Sequence, residues 1–322
     1  KLVHAFEEIK DLFDPKGLFN PGKIVRPSKQ DDRTLFRFKP DYAAQPLTTA
    51  LDWSAWGGFD KAVEMCNNNG HCRKFDAGTM CPSYRVTREE QHLTRGRANT
   101  LRLALSGQLG RHALTSDAVR NAMELCVSCK GCKRECPTGV DMAKMKIEFL
   151  HHWHRHHGLT LKDRLIAYLP RYAPWVARVA PAMNVLQGLA KPLLGFAAKR
   201  SLPAWRDAYI PPAAPSVSGG REVVLLVDTF NTYFEPENAR AAVKVLAAAG
   251  YTVHMPRAVD GARPLCCGRT FLASGLVDEA RREAQRMIAA LGPYVARGVP
   301  VIGLEPSCLF TLRDEFLSML PA

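Results

Sequence analysis

One short run of cysteines, Cys126-x2-Cys129-x2-Cys132-x3-Cys136-Pro137, constrains this chain more than any other feature. Three thiolates at such close intervals wrap one iron–sulfur cube. The fourth, turned away ahead of a proline, ligates a second cube. The proline helps set that turn and has no N–H of its own. Zinc sites also use short cysteine spacings, but ordinarily as two separated pairs. A fold built on this run therefore needs a second set of ligands elsewhere in the chain.

That set stands upstream, as Cys66-Asn-Asn-Asn-Gly-His-Cys72 and Cys81-Pro82. On the same spacing Cys66 is the first ligand, Cys72 the third and Cys81 the fourth, while Asn69 holds the second ligand's place. The crossover rule then assigns Cys81, Cys126, Cys129 and Cys132 to one cubane, cluster A. Cluster B is offered Cys66, Cys72 and Cys136, one thiolate short. Four explanations stay open: a nearby ligand such as Asn69 or His71, a distant cysteine or histidine, a 3Fe-4S cluster, or an iron open to water or a small molecule. A non-cysteine ligand or an open iron is favoured, because three cysteines without a cluster would be exposed reactive thiols. An imidazole or amide in a thiolate's place removes a negative charge and raises the potential. The expected cofactors are two 4Fe-4S clusters, or one 4Fe-4S and one 3Fe-4S.

The other cysteines agree with metal ligation. Of ten, seven lie between Cys66 and Cys136 and none in the first 65 residues. Such clustering reads as metal ligands in a reducing compartment rather than a disulfide framework. No signal peptide is visible at Lys1-Leu-Val-His4, so the expected location is cytoplasmic, or peripheral at the inner membrane. The formal charge is +13, which invites a nucleic-acid reading. Two 4Fe-4S clusters at about −2 each remove roughly four units of it. No nucleic acid is expected as a partner, and the remaining charge suits an acidic partner domain, a phosphate or an anionic membrane.

Periodicity divides the 322 residues. Residues 1–26 carry a helix, His4–Phe13, stopped by Asp14-Pro15, and a turn at Phe19-Asn-Pro-Gly-Lys23. One helix and a turn cannot bury a core, so the segment continues something larger or docks on its neighbours. Residues 27–60 form an irregular connection with a short alternating run, Thr34–Phe38. Residues 61–157 form a helical domain, with amphipathic helices at Arg97–Leu109 and Asp141–Trp153. Residues 158–220 hold apolar helical pieces around Leu161–Leu169 and Trp175–Phe196, broken by Pro170, Pro174 and Pro181, then a Pro/Ser/Gly linker over 208–220. None is long enough to span a bilayer. They read as packed helices, or as a patch lying on a membrane or covering a partner.

Residues 221–322 change pattern. Strands at Glu222–Val227, Tyr251–Met255 and Val299–Leu304 alternate with helices at Asn238–Ala249 and Val277–Leu291. The fold class is thus α+β overall: a helical two-cluster ferredoxin-like domain, then a small α/β domain with a mostly parallel sheet. Cys266-Cys267-Gly-Arg269 follows the second strand and Glu305-Pro-Ser-Cys308 the third, on one edge of the sheet. These thiols read as metal ligands, redox thiols or small buried hydrophobes. Asp228, Arg269 and Glu305 are polar candidates there for a small anionic substrate or a quinone.

Taken together, the motifs resemble the C-terminal iron–sulfur portion of bacterial FAD-linked oxidases. The match is to the fused type similar to D-2-hydroxyglutarate and D-lactate dehydrogenases. Leu12-Phe-Asp-Pro-Lys-Gly-Leu-Phe-Asn-Pro-Gly-Lys23 resembles the closing segment of the FAD-linked oxidase C-terminal domain. Cys66 to Lys74, Gly78 to Tyr84, Thr94 to Asn99 and Cys126 to Pro137 resemble the iron–sulfur motifs of the fused enzymes. Leu265-Cys-Cys-Gly-Arg269 and Glu305-Pro-Ser-Cys308 resemble the CCG domain of heterodisulfide reductases and of the glycolate oxidase iron–sulfur subunit. Full CCG domains carry more cysteines, and Asp228-Thr-Phe stands where one is expected, which argues against a non-cubane cluster.

The resemblance implies that a flavin in an upstream FAD domain or a flavin subunit oxidises a D-2-hydroxy acid. The clusters then carry the electrons singly to a quinone or other acceptor. This segment lacks the flavin site and would not oxidise a hydroxy acid alone. Two alternatives are a standalone iron–sulfur subunit whose CCG-like domain binds a disulfide or quinone, and a module whose clusters only hold the fold. Peripheral membrane contact and a homo-oligomer are further expectations.

Overall fold

A computed structural model describes residues 1–36, 38–210, 220–261 and 263–320. The chain divides into two compact units, Lys1–Gln45 and Pro46–Ala322.

The first unit is a helix, Leu2–Phe13, followed by turns. The helix buries none of its residues. It ends where Asp14 turns its carboxylate to the N–H groups of Leu18 and Phe19, each at 2.9 Å, and to the Lys10 ammonium at 2.5 Å. Those bonds hold the Asp14 carboxyl down at about 2, the Lys10 bond first among them. The alternating run at Thr34–Phe38 does not extend into a strand among the described residues. Asp32 accepts the Thr34 N–H and hydroxyl and closes a 3-10 turn over Arg33–Leu35.

In the second unit one hydrophobic core runs from the helical part into the sheet part, through Leu101, Met123, Phe149, Phe271 and Met287. Its central element is the helix Met142–His157, started by the Asp141 carboxylate on the Lys144 N–H at 3.0 Å. Glu148, fully buried on this helix, accepts the N–H groups of Ala50 at 2.8 Å and Leu51 at 3.0 Å, and the Trp53 indole at 2.9 Å. The connecting segment is thereby pinned to the helix that also supports the cysteine loops. On its other side the helix meets Gly275, where a Cβ would lie 2.4 Å from the His151 nitrogen. Only glycine permits that approach, and it joins the helical part to the sheet part.

The sheet has three parallel strands, β1 (Arg221–Leu226), β2 (Tyr251–His254) and β3 (Val301–Gly303), in the order β2-β1-β3. Val224 pairs with both His254 and Val301. The strands and the two long helices of this part, Pro236–Ala248 and Val277–Ala296, fall where the periodicity puts them, within a few residues. The apolar pieces after Leu161 are broken at Pro170 and Pro181 as expected, but not at Pro174. Pro170 and Pro181 occupy first turns of the helices Leu169–Val176 and Ala180–Ala190, where a missing N–H costs nothing. Pro174 lies inside its helix, and the bond it cannot make is the one to Pro170 in the first turn. Of the linker, 211–219 lies outside the described residues.

Candidate iron–sulfur site

Two loops build the site. The helix Phe59–Glu64 delivers Cys66, left-handed backbone at Asn68 and Gly70 turns the chain, and a 3-10 turn, His71–Arg73, carries Cys72 inward. Cys81 then heads the helix Pro82–Thr87. In the second loop, left-handed Ser128 and Lys130 separate Cys126, Cys129 and Cys132, so the chain winds around one point. The two loops touch at Gly131, where a Cβ would stand 3.1 Å from the Thr79 Cβ. Glu135 staples them further. Its carboxylate accepts the N–H groups of Thr79 at 2.6 Å and Met80 at 3.2 Å and pairs with Lys74 at 3.3 Å. These partners hold its carboxyl at about 2, the Thr79 N–H contributing most.

Cys81 of the first motif lies close enough to Cys129 and Cys132 of the second, and to Cys72 of its own, to raise their thiols. Burial pushes the Cys132 thiol up to about 12, with repulsion from Asp141, Cys126 and Cys81 adding to it. Cys129, exposed on one side, is raised first by partial loss of solvent, then by Cys81 and Cys126. Cys72, pushed up to about 11 by burial, feels Cys81 and Cys66. Cys136 is half-buried, its thiol 3.3 Å from the Thr138 hydroxyl.

Against that rise, donors and positive charge reach the sulfurs. Backbone N–H groups of Met142, Gly131 and Arg95 reach the sulfurs of Cys132, Cys129 and Cys72. Arg97, 1% exposed, points its guanidinium at the Cys81 sulfur at 3.7 Å and donates to Ala122 O at 2.7 Å and Ser83 Oγ at 2.9 Å. Lys146, its pKa lowered by burial, lies 2.5 Å from Cys126 O. Among the described residues no three His, Cys, Asp or Glu side chains converge on a single metal ion. The close run from Cys126 to Cys136, with Cys66, Cys72 and Cys81 upstream, is a donor set that fits a cluster in which each thiolate takes its own iron.

The residues between the motifs divide their work. Arg97 faces a thiol, whereas Arg95 pairs with Glu90 at 2.6 Å and Arg88 stacks over Phe75 at 3.7 Å. Asn69 and His71 are both exposed, and the Asn69 amide oxygen accepts the His71 N–H at 2.8 Å. The side-chain amide beside Cys66 is Asn68, at 3.9 Å. Spacing did not single out Asn68. Nor did it mark Glu135, although a carboxylate set directly before Cys136 was a signal to follow.

Cys266, Cys267 and Cys308 meet at the carboxyl edge of the sheet, all buried and hydrogen-bonded in a row. Cys266 is raised well above the ordinary thiol range by its bond to Cys267 and by burial. Cys267 is raised as well: its bond to Cys266 works downward, but Cys308 and burial outweigh it. Asp228 lines the same cavity, whose free space of about 10 Å³ barely admits one water molecule. Its carboxylate is already engaged as a helix cap, by the Phe230 N–H at 2.8 Å and the Asn231 amide at 2.7 Å. Glu305 caps the helix Pro306–Phe310 through Ser307, and Arg269 binds Glu315 at 2.9 Å.

Glu315 also takes Lys130 at 3.0 Å, and Asp314 takes Lys133 at 2.5 Å. Burial opposes the charge on Lys130, but Asp141, Asp314 and Glu315 together keep its pKa above the ordinary value. This ionic seam ties the sheet part to the loop holding Cys129, the one exposed cysteine among the ten. Cys129 opens into a cleft of about 1130 Å³ between the two parts, which Phe310 and Arg134 also line.

Comparison with known proteins fits this geometry. Residues 62–140 match a 4Fe-4S dicluster domain. Residues 1–24 match the C-terminal domain of FAD linked oxidases. The chain is 27% identical to the D-2-hydroxyglutarate dehydrogenase of Pseudomonas putida, over 98% of the chain and 36% of that relative. It is 28% identical to one subunit of the anaerobic glycerol-3-phosphate dehydrogenase of Escherichia coli, over 46% of the chain and 38% of the relative. To the glycolate oxidase iron-sulfur subunit of Escherichia coli it is 22% identical, over 81% of the chain and 60% of the relative. No solved structure matches. The chain spans about a third of the D-2-hydroxyglutarate dehydrogenase it matches. The resemblance read from the motifs is thus found in both places, the dicluster domain and the FAD-linked oxidase tail.

Proposed function

We propose that this chain is the electron relay of an FAD-dependent dehydrogenase acting on a D-2-hydroxy acid. Oxidation to the 2-oxo acid releases two electrons and two protons. The electrons pass as a hydride to a flavin in an upstream domain or subunit, then one at a time through this chain to a quinone or other two-electron acceptor. Each cluster, when bound, takes up and releases a single electron. Cys81, Cys126, Cys129 and Cys132 would hold cluster A; Cys66, Cys72 and Cys136 would hold cluster B, with its fourth position from Asn68, Asn69, His71 or solvent. The observation that best supports this reading is Cys81, which is electrostatically coupled to Cys129 and Cys132 of the second motif as well as to Cys72 of its own. Such a position between the motifs is what a two-cube relay would need.

Side chains then divide the task. Arg97 places positive charge where an incoming electron's charge would sit, and Glu135 and Gly131 keep the loops together. The exposed edge at Cys129 is the natural exit. A substrate held at Cys266, Cys267 and Cys308 is not favoured, since their cavity has room for about one water.

Low-temperature EPR with iron and sulfide counts, on anaerobically prepared holoprotein, tests the assignment. About eight irons and a spin-coupled reduced spectrum are expected for two cubanes, and about seven irons with an oxidised three-iron signal for a cluster B lacking its fourth ligand. Cys81→Ser and Cys126→Ser should remove the same signal and Cys136→Ser the other. Loss of different signals in Cys81→Ser and Cys126→Ser refutes the crossover.

A further inference from the structure

Beside the small cysteine cavity, the carboxyl ends of β1 and β2 bound a larger one, with a free space of about 460 Å³. That lies within the roughly 300–1,000 Å³ of small-molecule sites. Its walls are mostly apolar. Leu225, Leu226 and Val227 come from the end of β1, Met255 and Ala258 from just after β2, and Leu265 from the loop ahead of the cysteines. Leu226 and Leu265 also line the cavity of Cys266, Cys267 and Cys308, so one wall separates the two.

The polar groups are few, and their charge has one sign. Arg257, which is exposed, and Arg263 line the cavity, and among the described lining residues there is no carboxylate, cysteine, histidine or lysine. Arg263 also binds Glu283, but a guanidinium keeps further N–H donors. Tyr209 gives its hydroxyl to the Met255 sulfur at 3.5 Å. Tyr233 is 4% exposed, and its hydroxyl takes no hydrogen-bond partner among the described residues. Burial alone pushes it up to about 12, so it stays protonated and able to donate. A buried hydroxyl without a partner weakens the fold, and a ligand that accepts its hydrogen bond removes that penalty.

This edge does not suit a phosphate. The chain between β1 and the helix Thr229–Tyr233 has no glycine, and the Asp228 carboxylate already takes the Phe230 and Asn231 N–H groups at the helix start. A nucleotide would need those groups for its own phosphates. A carboxylate, by contrast, matches the fork of an arginine.

We propose that this cavity binds a carboxylate with an apolar body, the body against the ends of β1 and β2 and the polar partners being Arg257, Arg263 and Tyr233. With no nucleophile, general base or metal ligand in its lining, the site holds such a molecule without transforming it. The bound acid lies against the wall of the cysteine cavity, as an effector and not as the hydroxy acid being oxidised. This goes beyond the relay reading and does not rest on it.

The test is calorimetric titration of the anaerobic holoprotein with 2-naphthoate, and with uncharged 2-naphthalenemethanol for comparison. Saturable binding of one naphthoate per chain is expected, with the alcohol weaker by about tenfold or more. Arg257→Gln should weaken naphthoate by about tenfold and leave the alcohol unchanged. Tyr233→Phe should weaken naphthoate by about threefold or more, at a melting temperature equal to or above the parent's, since it removes a hydroxyl that has no partner. Ala258→Trp, which fills the cavity, should abolish binding while iron content stays that of the parent. The proposal is overturned by an absence of saturable binding in the parent, by an alcohol that binds as tightly as the acid, or by naphthoate binding unchanged in both Arg257→Gln and Tyr233→Phe.

Discussion

Replacement of Arg97 should move a reduction potential by an amount the structure fixes. Its guanidinium lies 3.7 Å from the Cys81 sulfur, in a side chain 1% exposed. An electron added to a cluster held by Cys81, the proposed cluster A, would spread past that sulfur, so its charge would sit at about twice the distance. At an effective dielectric of about 20, one positive charge there contributes roughly 2.2 kcal/mol to holding the electron. For a one-electron couple that is about 100 mV. Arg97→Gln should therefore lower the potential of cluster A by roughly 100 mV, leaving cluster B nearly untouched. Arg97→Lys keeps the charge and should recover most of the shift. Redox titration followed by EPR on anaerobic protein reads both values. A shift under about 20 mV in Arg97→Gln, with cluster A fully loaded, would show that solvent or other dipoles screen this arginine. An equal fall in Arg97→Lys would mean that its bonds to Ala122 and Ser83, and not its charge, set the potential.

Three further substitutions probe the scaffold. Glu135→Gln should flatten the acid end of the stability profile. A carboxyl held at about 2 instead of 4.5 contributes stability that is complete above the higher value and is lost as pH falls through the lower one, and thermal melts between about pH 5 and 2 would show a shallower slope in the variant than in the parent. Gly131→Ala drives a methyl against Thr79 and should cost about 1–3 kcal/mol, read as a lower urea midpoint together with lower cluster A occupancy. Glu148→Ala strands the N–H groups of Ala50, Leu51 and Trp53 and should lower stability by about 3–5 kcal/mol in the same titration, with no change in either cluster's potential.

The sequence was most readable where covalent spacing does the work. Cysteine intervals place ligands without reference to distant contacts, so the motif around Cys126 and its upstream partner could be read directly. Strands and long helices were legible from period. Short-range bonding overrode period at Thr34–Phe38, where Asp32 closes a turn. Long-range partnerships left almost no local trace. Nothing near Lys130 points to Asp314, and nothing near Ala50 points to Glu148. Arg97 is one arginine among several in its stretch, and only burial separates it from Arg88 and Arg95. The inward turn of Asn184 and Gln187 reverses what composition suggests, because Trp205, which they hold, comes from a coil beyond the helix.

The unbroken core between the cysteine loops and the sheet also bears on how electrons are timed. With Gly275 at backbone contact on the helix Met142–His157, and Lys130 and Lys133 paired with Glu315 and Asp314, the sheet part braces the loop that carries Cys126, Cys129 and Cys132. Spacing between the two proposed clusters would then be set once, when the chain folds. Internal electron hops should keep the same rate in glycerol as in dilute buffer, and only the arrival and departure of diffusing partners should slow as the medium thickens.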